Sequence, residues 1–213
     1  MTVNVDEQTE VSHQQRNAQR EATRARLVET GVEQLIARGY AGTTTVAVQQ
    51  AAGVSRGALL HHFPTRNDLL SAVIRRLLEM HEAAAREALA SAPRDADRVA
   101  RAIAALSTVV RRPAFVAQMD LWTAARTDPR LARMVSREER RAGSDLARVV
   151  DHLFGRPLTE HPRYRAVAGL TVQILRGLAL TDVLRGDPET AQRALDDWTD
   201  MVHDLLAPWE DPQ

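Results

Sequence analysis

Cysteine is absent from the 213 residues, which excludes disulfides, thiolate metal sites and cysteine nucleophiles and fits a reducing cytoplasm. Lysine is absent too, and all 28 basic residues are arginine. Arginine suits bidentate contacts with guanine and phosphate, but so uniform a usage points to codon bias before function. A long hydrophobic run is also missing. The most apolar stretch, 166–184, is interrupted by Gln173, Arg176 and Asp182, which argues against a membrane span. The polar start MTVNVDEQTE lacks the charged-then-apolar pattern of an export signal, so a cytoplasmic protein is expected. An overall excess of either charge is lacking as well, since 28 basic residues balance 28 acidic ones. The balance is not local, however. Between Val11 and Arg66 seven arginines face three glutamates, and a basic segment on a small domain is what phosphate attraction requires.

What is present is helical punctuation. Residues 1–20 are polar and without apolar periodicity, which predicts a disordered arm. A first helix is predicted from Thr23 to Arg38, with Leu27, Val28, Gly31, Val32, Leu35 and Ile36 at helical spacing and Gly39 as its stop. Thr43 or Thr44 then caps a short second helix carrying Val46, Ala47, Gln50 and Ala51. Gly53 fits the left-handed position beyond a helix end, and Ser55 is a good N-cap for a third helix from Arg56 to Phe63. Val46, Leu59, Phe63 and Tyr40 are expected in the small core. Pro64 ends the third helix, and Thr65-Arg66-Asn67-Asp68 is a capping box for a long fourth helix with Leu70, Val73, Ile74, Leu77, Leu78 and His81 on one stripe. Prolines divide the remainder into blocks at 95–111, 114–126, 129–154, 162–185 and 188–206. No block alternates with period two, so the fold is expected to be all-α. The chain reads as an arm (1–20), a three-helix domain (21–67) and a larger helical domain (68–213).

Two short helices joined by a tight turn and followed by a capped longer one are the layout of a helix-turn-helix, whose second helix enters the DNA major groove. Its N-terminal residues meet base edges. Here these are Ser55, Arg56 and Gly57. Arg56 is the candidate for guanine, a bidentate contact worth ~1–3 kcal/mol of discrimination. Gly57 admits close backbone approach, Leu60 can meet a thymine methyl, and His61 and His62 can donate to phosphates or bases. Being adjacent, the two histidines point about 100° apart and cannot share a metal. Thr43, Thr44 and Arg66 lie at helix starts, where hydroxyls, amides and positive charge hold phosphates. The arginines at 16, 20, 24 and 26 suit either a minor-groove arm or a solvated helix.

The string from Gly39 to Leu70, GYAGTTTVAVQQAAGVSRGALLHHFPTRNDLL, resembles the TetR family of bacterial transcription regulators. Leu60 stands where the family usually has tyrosine, and Arg66 where it usually has lysine. The resemblance implies a homodimer, an all-helical C-terminal ligand domain, and repression relieved by a small molecule.

In the larger domain, the 162–185 block is apolar on most faces, so burial on more than one side is expected. The final block opens with Asp187-Pro188, an N-cap and a first-turn proline. Leu170, Ile174 and Leu178 with Leu195, Trp198 and Val202 are the candidates for a two-fold interface, and the alternative is that both helices fill the monomer's own core. Phe115, Met119 and Trp122 share a face, Met134 follows on the next block, and Gln118 and Gln173 are polar among apolar neighbours. These six are the candidate ligand contacts, although an ordinary core would use the first four equally well. Arg137-Glu138-Glu139-Arg140-Arg141 reads as a solvated face with internal pairing.

The expected function is therefore a cytoplasmic, dimeric regulator on a near-palindromic operator, released by a small apolar or amphipathic effector. A regulator controlled by a protein partner makes the same demands on the sequence. An enzyme is not expected: the Glu-x-x-His, Gly-rich phosphate-loop and His-Glu-x-x-His strings are all absent. No catalytic residue, metal or cofactor is assigned.

Overall fold

The computed structural model describes the backbone of residues 4–91, 97–185 and 187–208, and the side chains of 14–91, 97–143, 146–181 and 187–208. Among the described residues nine α-helices and one 3-10 turn account for the regular structure, and no strand occurs. The chain falls into two compact units, residues 1–76 and 77–213.

In the first unit α1 spans Asn4–Gly42, with a non-helical break at Gly39. The disordered arm expected over residues 1–20 is corrected from residue 4 onward, residues 1–3 lying outside the described ones. The polar stretch lacks an apolar stripe, but its Glu, Gln and Ala residues are good helix formers, so lack of periodicity marked an exposed helix rather than disorder. Side chains 14–22 are all exposed. Then come α2 (Thr45–Ala51), α3 (Arg56–His62) and α4 (Arg66–Ser91). Leu27, Leu35, Val48, Leu59 and Phe63 build the small core, together with Leu69, Leu70, Val73 and Ile74 of α4. The unit therefore ends after Arg76 rather than at residue 67: its core is completed only by the first turns of α4. Gly31 is required by a close approach, since a Cβ there would stand 2.5 Å from Val73 Cγ2. Val46, expected in the core, is 58% exposed. Val48 takes the interior position instead, because α2 is only two turns long and offers one buried face.

The second unit contains the rest of α4 with α5 (Arg98–Val110), α6 (Pro113–Ala125), α7 (Pro129–Phe154), a 3-10 turn (Leu158–Glu160), α8 (Tyr164–Arg185) and α9 (Pro188–Leu205). Asp97, Asp128 and Asp187 cap α5, α7 and α9 through their carboxylates. Helix α5 is central, packing against α6, α7, α8 and α9. Ala102, Ile103, Phe154, Tyr164, Val167, Leu175 and Val202 are among the buried core. Helix α8 was expected to be buried on more than one side. Within the single chain it buries Tyr164, Val167, Leu175 and Ala179 and leaves a face on which Leu170 and Leu180 are about half exposed.

Candidate nucleic-acid interface and an interior polar cluster

The reading helix is built by its caps. Thr44 Oγ1 accepts from Ala47 N at 3.1 Å and Ser55 Oγ from Ala58 N at 3.1 Å, satisfying first-turn amides of α2 and α3. Between them Gly53 adopts φ 62°, the left-handed region where a side chain is strained. Gln49 Nε2 donates to the Val54 carbonyl at 2.6 Å and ties the turn to α2. Leu59 and Phe63 anchor the inner face of α3, which turns Arg56, Gly57, Leu60 and His61 outward as exposed residues. A Cβ at Gly57 would meet only Ser55 Oγ, at 4.0 Å, so nothing inside the protein demands glycine there.

Other predicted contacts stand differently. Thr43 is buried and its hydroxyl donates to the Gly39 carbonyl at 2.9 Å, so the expectation of a DNA-facing Thr43 side chain is corrected. It serves the junction before α2 and leaves the cap to Thr44. Arg66 is exposed but braced: its Nη2 donates to the Thr43 carbonyl at 3.3 Å and its guanidinium lies 5.0 Å from the Tyr40 ring centre. His62 is half-buried, with its pKa held below the usual value by burial first and then by His61, Arg20 and Arg24. Arg24 lies 5.2 Å above the Phe63 ring.

In the second unit four helices contribute to an interior polar cluster. Gln118 Nε2 donates to Glu139 Oε1 at 2.9 Å, and the Trp122 indole N–H donates to the same oxygen. Arg176 of α8 lies 4.8 Å from the Trp122 ring centre. Phe115 meets Trp122 edge-on at 6.1 Å and His81 at 5.6 Å. His81 is 8% exposed, and burial lowers its pKa to about 4. Its Nε2 and the Arg176 Nε are buried without a hydrogen-bond partner.

Of the six candidate ligand residues, Phe115, Gln118 and Trp122 belong to this cluster. Met134 is buried and Met119 half-buried. Gln173 is corrected: it is exposed on α8, on the side opposite the buried Thr171 and Leu175. The solvated, internally paired face expected at 137–141 holds at the exposed Arg137, Arg140 and Arg141 and is corrected at the two glutamates. Glu138 is 2% exposed, salt-bridged to Arg137 at 3.1 Å and Arg141 at 3.5 Å, and Glu139 turns into the cluster. Leu131, Val135 and Glu138 fall at spacings of four and three, the signal that places Glu138 on the inner face. The interface expected of Leu195, Trp198 and Val202 is corrected as well, because all three are buried within the unit's own core. Leu170 is exposed and Ile174 and Leu178 are half-buried. A separate cleft of about 280 Å³ between α4 and α7 is lined by Glu82, Ala85, Arg86, Leu89, Arg148, Val149, His152 and Leu153, none of them a predicted ligand contact.

The family model described as bacterial regulatory proteins, tetR family, matches residues 27–73. The chain is 30% identical over 192 residues to the HTH-type transcriptional regulator BetI of Burkholderia mallei, covering 89% of this chain and 96% of that protein. This chain belongs to the TetR family. A BetI of Paraburkholderia phymatum matches at 30% over 191 residues, with 88% and 95% covered. Among solved structures, a transcriptional regulator from Rhodococcus sp. Rha1 superposes with TM-score 0.63 at 25% identity, over 85% of this chain and 96% of that one. The multidrug binding protein EbrR complexed with imidazole shares the fold, with TM-score 0.58 at 22% identity over 88% and 96%. The TetR-family chain is accordingly a DNA-binding transcriptional regulator and not an enzyme. No described helix is long and apolar enough to cross a membrane. Among the described residues no group of three or more His, Asp or Glu is placed to hold a metal ion.

Proposed function

We propose that this TetR-family regulator is a dimeric repressor, released from a near-palindromic operator by a small amphipathic molecule. The observation that carries the reading is the division of labour between the two units. One turns Arg56, Gly57, Leu60 and His61 outward on a doubly capped helix-turn-helix, and the other holds a polar cluster with unsatisfied atoms. Arg56 reads guanine, Gly57 permits close approach and Leu60 meets a thymine methyl. Ser55 lies with them at the base edges, Thr44 and Arg66 face phosphates, and His61 and His62 donate to phosphates or bases. The domain roles follow: residues to about 76 read DNA, and the remainder binds effector and partner.

Support for dimerisation comes from the open face of α8, where Ala166, Gly169, Leu170, Gln173, Gly177 and Leu180 are all exposed. Small and apolar residues at helical spacing allow two helices to approach closely. On α9, Met201 is a further exposed apolar side chain. Two reading helices must meet half-sites ~34–36 Å apart, so an effector that favours another dimer form lowers operator affinity.

The test is a selection of bound fragments from random duplex DNA with wild type and Arg56→Ala, followed by release assays on the recovered site. A near-palindromic motif recovered by the wild type alone is expected. Equal, sequence-blind recovery by both proteins refutes the assignment of the reading residue.

A further inference from the structure

We infer that the effector is an apolar organic acid, whose carboxylate pairs with Arg176 and whose body lies against Trp122 and Phe115. The inference rests on the effector-responsive reading above and names the chemistry of that effector.

Arg176 is the reason. A guanidinium does not give up its proton in a protein, so its charge must be compensated when it leaves water. Arg176 is half-buried, its Nε is buried and unpartnered, and it makes no salt bridge or hydrogen bond among the described residues. Burial lowers its pKa, and only Glu139, acting at a distance, opposes that. Glu139 Oε1 accepts from both Gln118 and Trp122, and among the described residues the carboxylate makes no ion pair with Arg176. What remains is a guanidinium on an aromatic plane, with its Nε buried and unpartnered and the Glu139 charge near it but not in contact.

The same geometry disfavours a cationic effector. The Trp122 face that would attract a ligand cation carries the chain's own guanidinium at 4.8 Å. A second positive charge would be placed beside the first.

His81 adds a second preference. Its hydrogen bond to the Ala114 backbone engages one ring nitrogen, and burial keeps the ring neutral near pH 7. Nε2 is therefore left as a buried acceptor without a donor, suited to a hydroxyl on the ligand. Trp122, Glu139 and Arg176 are each half-buried, so the cluster reaches solvent on their side.

The experiment uses the full-length protein, its selected operator and four probes: benzoate, 4-hydroxybenzoate, the neutral 4-hydroxybenzamide and the cation benzyltrimethylammonium. Calorimetry measures binding and fluorescence anisotropy measures operator release. The acids are expected to bind and release the operator, 4-hydroxybenzoate the more tightly, with the amide about tenfold weaker and the cation inert. Arg176→Gln should lose about tenfold in acid affinity while keeping operator affinity without ligand. Its unfolding temperature should fall little, since no ion pair or hydrogen bond of Arg176 is lost. Should that variant fold poorly, Arg176→Lys serves, keeping the charge and losing the fork.

Release by the cation or amide at least as effective as by the acids overturns the organic-acid inference and leaves effector control standing. Acid binding unchanged in Arg176→Gln overturns it too. Failure of every probe to bind overturns the organic-acid inference, whereas tight acid binding that leaves the operator held overturns the effector-responsive reading.

Discussion

The Trp198 indole N–H donates to Thr171 Oγ1 at 3.1 Å, with both residues buried where α9 packs against α8. The same hydroxyl donates to the Val167 carbonyl at 2.8 Å, so it is satisfied as donor and acceptor. This pairing fixes the rotation of α8. With Thr171 wholly buried, Leu170 and Gln173 turn outward and the open face is defined.

Thr171→Val should therefore destabilise the second unit by roughly 1–3 kcal/mol, because a buried indole N–H loses its acceptor while shape is nearly kept. Thr171→Ser retains the hydroxyl and should cost less. Urea unfolding of both variants checks this. Equal losses would mean that the methyl group, and not the hydrogen bond, matters.

Two glycines should respond to alanine in opposite ways. At Gly31 the new Cβ meets Val73 Cγ2 at 2.5 Å, and overpacking of this kind costs about 1–3 kcal/mol. At Gly57 the Cβ enters open space, so alanine should stabilise α3 by up to about 1 kcal/mol while weakening operator binding through lost approach. Melting curves and operator titrations on both variants decide. Unchanged operator affinity in Gly57→Ala would remove that residue from the DNA surface.

The caps, turn and prolines announced the helices because each is a local event: a Ser, Thr or Asp side chain meets an amide two or three residues away. Ser55, Thr65-Asp68 and Asp187 were legible for that reason. Which face of a helix is buried depends on its neighbours, and there the sequence was ambiguous. Val46 and Val48 differ by two positions on a two-turn helix, and only packing against α1 and α3 selects Val48. Glu139 sat in a charged run whose default is solvation, and its inward turn depends on donors from another helix. Arg176 read as an interruption of an apolar stretch. Its isolation from acceptors is a property of three-dimensional neighbours.

Arg56 and Arg66 should separate specificity from attraction. Arg56 is exposed on α3, so Arg56→Ala should cost ~1–3 kcal/mol on the operator and little on random DNA. Arg66→Ala should weaken both together and lower the salt slope by about one. Because Arg66 also braces Thr43 and Tyr40, some loss of stability should accompany it. Salt-dependent titrations on both duplexes, with melting curves, test the pair. An operator-selective loss in Arg66→Ala would reverse the roles.

His81 should make the fold acid-sensitive in a defined window. Burial lowers its pKa from 6.5 to about 4, with Arg176 adding to the fall and the Ala114 backbone bond opposing it. Above pH 6.5 both folded and unfolded chains hold it neutral, and it contributes no pH dependence. As pH falls through 6.5 the unfolded chain takes up a proton that the folded chain refuses, so stability declines. The decline levels off near pH 4, where the folded form protonates as well, after a loss of roughly 3 kcal/mol. His81→Gln should flatten this part of the stability profile between pH 6.5 and 4, while carboxylates elsewhere still act at lower pH. Denaturant unfolding of wild type and variant across that range measures the difference. A parallel pair of profiles would show that His81 is solvated rather than held neutral, and would take with it the acceptor assigned to its Nε2.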